Sequence, residues 1–184
     1  MDTDLSPLLP RRPVPTLSLP LAGGGRFTLN DPAPERFTLL VFYRGLHCPI
    51  CSRYLGDLEA RLPAFVALGT TAVAISSDDA ERGEAAKTRW KLPNLPVAHS
   101  LPLTEARRWG LYVSTSRGAT SAGIVEPERF AEPGLLLVRP DGTLYFGTVQ
   151  TMPFARPRFE DILPALSFVI EKAYPARGEV ARLA

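Results

Sequence analysis

Between residues 37 and 75 the chain carries the pattern that most restricts its fold. Phe37-Thr38-Leu39-Leu40-Val41-Phe42 is apolar at almost every position, the mark of a strand buried on both faces. From Pro49 onward, Ile50, Tyr54, Leu55, Leu58, Leu62 and Phe65 recur at three- and four-residue intervals, which predicts an amphipathic helix. Pro63 removes one ladder hydrogen bond from that helix and is expected to kink or end it. Thr71-Ala72-Val73-Ala74-Ile75 reads as a second buried strand. Two strands of this kind need cover on both faces of their sheet, which points to an α/β layered architecture.

The flanking segments extend the same plan. Leu17-Ser18-Leu19 and Arg26-Phe27-Thr28-Leu29 surround the turn Ala22-Gly23-Gly24-Gly25 and read as an N-terminal β-hairpin. Asp78 or Asp79 caps a polar helix reaching Trp90, Leu95 to His99 is a short strand, and Thr104 to Trp109 is a short helix ended by Gly110. Residues 113–131 lack periodicity and read as a long surface loop of the kind that covers a site. Gly134 to Val138 and Leu144 to Val149 form a hairpin about Pro140-Asp141-Gly142, and a last helix runs from about Phe159 to Tyr174. Pro164 falls near the start of that helix, where N–H groups lack partners anyway. The fold class is therefore an α/β sandwich, a central mixed sheet flanked by helices.

A chain of 184 residues suits one domain. Prolines crowd residues 7–20, so residues 1–16 are expected to be an extended arm, residues 17–176 the domain and residues 177–184 a tail. A net charge of +2 with no concentrated basic run disfavours nucleic acid. The longest apolar stretches, such as Leu39 to Tyr43 and Leu135 to Val138, are far too short to span a bilayer. The opening Met1-Asp2-Thr3-Asp4, soon followed by prolines, is unlike a signal peptide, so a cytoplasmic location is expected.

The chemistry concentrates in Tyr43-Arg44-Gly45-Leu46-His47-Cys48-Pro49-Ile50-Cys51. Proline prefers the first helical position, which puts Cys48 at the N-cap. A sulfur there faces unpaired N–H groups and the positive end of the helix dipole, and both favour thiolate over thiol. Cys51 lies one turn on, within reach of an oxidised Cys48. Cys48 is accordingly the candidate attacking thiol and Cys51 the candidate resolving thiol. A buried structural pair of thiols does not suit a His-, Pro- and Arg-rich setting. Zinc needs more ligands than His47 and His99 supply. Arg44 is a candidate source of positive potential at Cys48, and His47 a candidate proton carrier. His99 is read as structural or surface, Trp90 and Trp109 as packing residues, and Tyr43 as a border of the groove.

The stretches VFYRGLHCPIC, EPGLLLVRPDGTLYF and TVQTMPFARPRFEDIL resemble the peroxiredoxin-like proteins of the alkyl hydroperoxide reductase/thiol-specific antioxidant (AhpC/TSA) superfamily. The likeness runs from about residue 17 to residue 172 and implies a thioredoxin-like fold. It implies a cis Glu132–Pro133 bond beside the cysteines, where Pro133 shapes the substrate groove. It matches a family arginine to Arg156. It also exposes departures: the family's Thr or Ser three residues before the reactive cysteine is Gly45 here, and an arginine ahead of the distal strand is replaced by Pro133. Thioredoxins often bury an acid in the strand before the cysteines, and that place holds Phe42.

The leading expectation is an antioxidant oxidoreductase cycling between the Cys48/Cys51 dithiol and its disulfide while reducing hydroperoxides. The alternatives are a thioredoxin-like protein disulfide reductase using the same CxxC and a non-catalytic thioredoxin-fold binding module. No flavin or nucleotide motif is visible, and Gly23-Gly24-Gly25 is not followed by a helix, so no cofactor is expected. Electrons would come from an external thiol or a thioredoxin-type reductant. Related folds often dimerise, which leaves a homodimer open.

Overall fold

The computed structural model describes residues 7–182. Five strands form the central sheet in the order β5-β4-β3-β8-β9. They are β3 (Phe37–Phe42), β4 (Thr70–Ile75), β5 (Val97–Ala98), β8 (Gly134–Val138) and β9 (Leu144–Val149). The first three run parallel, whereas β8 is antiparallel to β3 and β9 to β8. Around them lie the hairpin β1 (Ser18–Pro20) and β2 (Arg26–Thr28), and the ribbon β6 (Val113–Thr115) and β7 (Arg129–Ala131). The helices are α1 (Pro49–Ala67), α2 (Ala80–Arg89), α3 (Leu103–Arg108) and α4 (Phe159–Glu171).

Every residue of β3 is buried, and alternation along the strand divides its side chains between two layers. Leu39 and Val41 join Leu55, Leu58 and Phe65 of α1 and Phe159, Ile162 and Leu166 of α4. Leu40 and Phe42 meet Leu17, Leu19, Ala106 and Trp109 on the other face. The strand that is apolar at all but Thr38 is thus the one the sheet places at its centre, in register with both β4 and β8.

The N-terminal arm lies along the sheet's edge, with Arg11 N–H donating to Leu144 O at 2.8 Å and Val14 N–H to Gly142 O at 3.0 Å. Residues 1–6 of the expected arm and residues 183–184 of the tail fall outside the described residues. Asp79, rather than Asp78, is the N-cap of α2, accepting the Arg82 N–H at 2.9 Å.

Four expectations are corrected. Helix α1 continues past Pro63 to Ala67; Pro63 lies on the exposed side of the helix, where the loss of one ladder hydrogen bond is tolerated. Residues 113–131 are bounded by the antiparallel pair β6 and β7, in which Phe130 and Ala131 are buried; the pair spans too few residues to register as a period. The last helix stops at Glu171, with Tyr174 N–H turning back to Val169 O. The only cis peptide among the described residues is Asp31–Pro32, so Glu132–Pro133 is trans. There the chain runs extended from β7 into β8. Glu132 N–H donates to Tyr112 O at 2.8 Å and Pro133 O accepts the Gln150 N–H at 2.9 Å, pairings that hold the segment straight.

Candidate active site

The loop after β3 delivers Cys48 to the start of α1. Cys48 is the N-cap, with φ −97° and ψ 103°, and Pro49 follows at the first helical position. The Cys48 sulfur accepts the Cys51 N–H at 3.3 Å, so one of the helix's unpaired donors is satisfied by sulfur. Both cysteines are free thiols and both are buried, Cys48 at 1% exposure and Cys51 at 0%.

Arg156 reaches this pair from the segment between β9 and α4. Its Nη2 lies 3.2 Å from Cys51 Sγ and 3.9 Å from Cys48 Sγ, and its Nε donates to Pro153 O at 2.9 Å. The sulfurs therefore titrate apart. The hydrogen bond from the Cys51 thiol, the Cys51 N–H and the Arg156 and Arg44 charges overcome burial, lowering the Cys48 pKa to about 6. Burial pushes the Cys51 thiol well up, and its bond to Cys48 raises it further. One thiolate, on Cys48, and one retained proton, on Cys51, is the state this geometry favours.

Gly45 has φ +134°, and a side chain there would collide with Asp78: an added Cβ would sit 2.6 Å from Oδ1 and 2.7 Å from Oδ2. The buried Asp78 carboxylate uses that space to accept the Leu46 N–H at 2.7 Å and Arg82 Nε at 3.0 Å. The cysteine loop is thus braced by a carboxylate where a hydroxyl-bearing side chain would otherwise stand. The Cys48 N–H is committed to Gly45 O at 3.1 Å.

Arg44 and His47 point away from the sulfurs into a second polar cluster. Arg44 pairs with Glu126 at 3.2 Å and Glu132 at 3.3 Å, and lies over the Phe130 ring at 4.6 Å. Two carboxylates neutralise its charge locally, which leaves it the last of the influences on Cys48. His47 is fully buried, packs on Phe130 at 4.7 Å, and stands 4.0 Å from Glu126. Burial and the Arg44 charge lower its pKa to about 4, so it is neutral near pH 7. The Thr120 hydroxyl donates to His47 O at 2.6 Å, tying the 116–128 loop to the residue before Cys48. Pro133 contributes its carbonyl to the sheet edge.

The remaining sequence candidates are structural in place. His99 packs against Gly83 and shares a 2.9 Å contact with Ser100 Oγ. Trp109 packs on Phe42 and Trp90 on Tyr43, which is itself buried rather than at a rim. Asp78, Glu126, Thr120 and Tyr54 gave no chemical signal in the sequence. For Asp78 the available clue was Gly45, since a glycine in a motif that elsewhere carries a hydroxyl implies that something else fills the space.

A mixed sheet with two helical layers, presenting a dithiol where a central strand feeds a helix, defines a thioredoxin-like protein. The AhpC/TSA family profile matches residues 10–146, and the chain belongs to that family of peroxide oxidoreductases. A sequence comparison with curated proteins returned no match. Among solved structures, the peroxidoxin BcpB of Mycobacterium tuberculosis superposes with a TM-score of 0.68 at 16% identity, over 88% of this chain and 98% of that one. AhpC of Enterococcus faecalis gives 0.69 at 17% identity over 94% and 99%. The reduced 2-Cys peroxiredoxin of Plasmodium vivax gives 0.71 at 14% over 96% and 92%. No helix among the described residues is long and apolar enough to cross a membrane.

Proposed function

We propose that the chain reduces hydroperoxides through a Cys48/Cys51 dithiol–disulfide cycle. The observation that carries this is the Cys48 sulfur at the N-terminus of α1, hydrogen-bonded by the Cys51 N–H and facing Arg156. The Cys48 thiolate attacks one peroxide oxygen and the O–O bond breaks. The sulfur is oxidised to a sulfenate, which takes up a proton, and the other oxygen leaves as an alcohol or water. Cys51 then attacks the sulfenic sulfur; its thiol proton and the sulfenic hydroxyl depart as water, and the disulfide closes. Two electrons and two protons from an external thiol or thioredoxin-type reductant restore the dithiol. No step calls on a cofactor.

In this reading residues 17–176 are the catalytic domain, since Leu17 and Ala176 both belong to its buried clusters. A reducing cytoplasm suits a cycle that must regenerate free thiols, and the homodimer stays open. The test is steady-state hydroperoxide consumption with a thiol reductant. Cys48→Ser is expected to abolish turnover, and Cys51→Ser to leave one sulfenic acid per chain that dithiol no longer recycles by the internal route. Turnover by Cys48→Ser at the wild-type rate overturns the proposal.

Disulfide reduction is favoured as a second reading by one feature. With Asp78 filling the space at Gly45 and the Cys48 N–H already used, two donors that would steady a peroxide at Cys48 are missing. Mixed-disulfide exchange at Cys48 needs neither. Comparing insulin-type disulfide reduction with peroxide consumption by the same preparation ranks the two.

A further inference from the structure

Arg156 is held in an unusual way. Its Nη2 faces two sulfurs, yet among the described residues no carboxylate lies within ion-pair distance of it. Its Nη1 is buried without a hydrogen-bond partner. The guanidinium stands on the segment joining β9 to α4, which has no helix or strand of its own between Val149 and Phe159. Among the described residues the Cys48 thiolate is thus its one counter-charge, and that charge vanishes whenever the sulfur becomes a sulfenic acid or a disulfide. Arg156 is half-buried, and a partly desolvated cation without an anion costs free energy. Besides the Nε bond to Pro153 O at 2.9 Å, a contact on the face of the guanidinium that does not involve the sulfurs would keep Arg156 in place when that charge is gone.

Tyr54 has the geometry for that task. It sits on α1 three residues beyond Cys51, so it projects beside the cysteines one turn along the helix. Its ring lies 5.1 Å from the Arg156 guanidinium carbon, a cation–π contact whose attraction does not involve the sulfurs. Its hydroxyl donates to Pro157 O at 2.6 Å, fixing the backbone next to Arg156. Phe159 packs on the Tyr54 ring itself, centroids 4.4 Å apart and planes tilted by 30°, which limits its rotation. Ring, hydroxyl and stack together form a rigid support that couples α1 to the arginine-bearing segment. Burial raises the phenol's pKa, so the hydroxyl keeps its proton as donor.

We propose that Tyr54 is a positioning residue that holds Arg156 against Cys48 and Cys51 throughout the thiol cycle. This rests on the reading of Cys48 as the reactive thiol. Without Tyr54 the arginine loses its support in the reduced protein as well as the oxidised one, and the Cys48 thiolate faces a less well placed positive charge.

The experiment is a double-mutant cycle read by the Cys48 pKa, measured from the pH dependence of alkylation and from thiolate ultraviolet absorbance. The variants are Tyr54→Phe, Tyr54→Leu, Arg156→Gln and the two doubles. Arg156→Gln is expected to raise the Cys48 pKa by about one unit or more, because an opposing charge close to the sulfur is lost. Tyr54→Leu should produce at least half of that rise and Tyr54→Phe, which keeps the ring, a smaller one. In the Arg156→Gln background neither Tyr54 change should raise it further. An unchanged Cys48 pKa in Tyr54→Leu, or effects that add fully to that of Arg156→Gln, overturns the proposal. Should Tyr54→Leu not fold, the cycle with Tyr54→Phe decides by the same criterion. The outcome is separable from the functional reading, which stands or falls with turnover in Cys48→Ser.

Discussion

Gly45→Ala adds one methyl group where the structure has no room for it. The new Cβ would lie 2.6 Å from Asp78 Oδ1, 2.7 Å from Oδ2 and 2.9 Å from Cγ. The obstacle is a short, fully buried side chain pinned by two donors, not the end of a flexible one. To make space, Asp78 must give up the Leu46 N–H or Arg82, each a charge-assisted bond worth about 1.5–3 kcal/mol. The backbone at φ +134° adds a strain of about 1–3 kcal/mol for any residue with a side chain. Together these place the loss on the order of 3–6 kcal/mol, a large part of a typical domain's stability. Urea unfolding followed by circular dichroism measures it, with the m-value checked for constancy. Asp78→Ala alone should also destabilise, because the Leu46 N–H loses its buried acceptor. The double change should cost less than the two singles combined, since the second clears the space the first invades. A Gly45→Ala protein within about 1 kcal/mol of the parent, or full additivity in the double, refutes the claim that Asp78 excludes a side chain at position 45.

Other consequences are as direct. The Cys48 pKa of about 6 lies below the ordinary thiol value, so thiolate reactivity is present above it and lost as pH falls through about 6; an alkylation-rate titration checks the midpoint. Cys51→Ala removes the bond that contributes most to that lowering and should move the midpoint upward. Thr120→Val deletes the bond from the 116–128 loop to His47 O; at about 1 kcal/mol it should speed alkylation of the buried Cys48 by roughly fivefold in stopped-flow measurements, and no change would show that this loop does not limit access. Pro63→Ala restores an N–H at an exposed position within α1 and should raise stability by about 1–3 kcal/mol in denaturant titrations.

What the sequence disclosed and what it hid divide by range along the chain. The N-cap, the proline after it and the thiol one turn later are neighbours, and helix geometry alone brings them together. The strand at residues 37–42 is legible because burial on both faces leaves Thr38 as its one polar position. By contrast, Arg44 meets Glu126 across 82 residues, Tyr54 meets Pro157 across 103, and Arg156 meets Cys48 across 108. No period or cap encodes such pairs. Arg156 is marked in the sequence only by family resemblance, and Arg44 reads as a neighbour of the sulfurs because its partners Glu126 and Glu132 lie far ahead in the chain.

The trans bond at Pro133 shows the same limit: its form is set by pairings with Tyr112 and Gln150 on separate segments, not by the proline. The physical division also explains the site's electrostatics. The charge that came from local sequence, Arg44, is cancelled by distant carboxylates, while the charge that acts on the thiolate arrives from the far end of the sheet. A glutamine at Glu126 or Glu132 should therefore unbalance Arg44 and lower the Cys48 pKa further, opposite in sign to Arg156→Gln. The same alkylation titration decides it, and a rise in either glutamine variant would show that Arg44 is not held neutral by this pair.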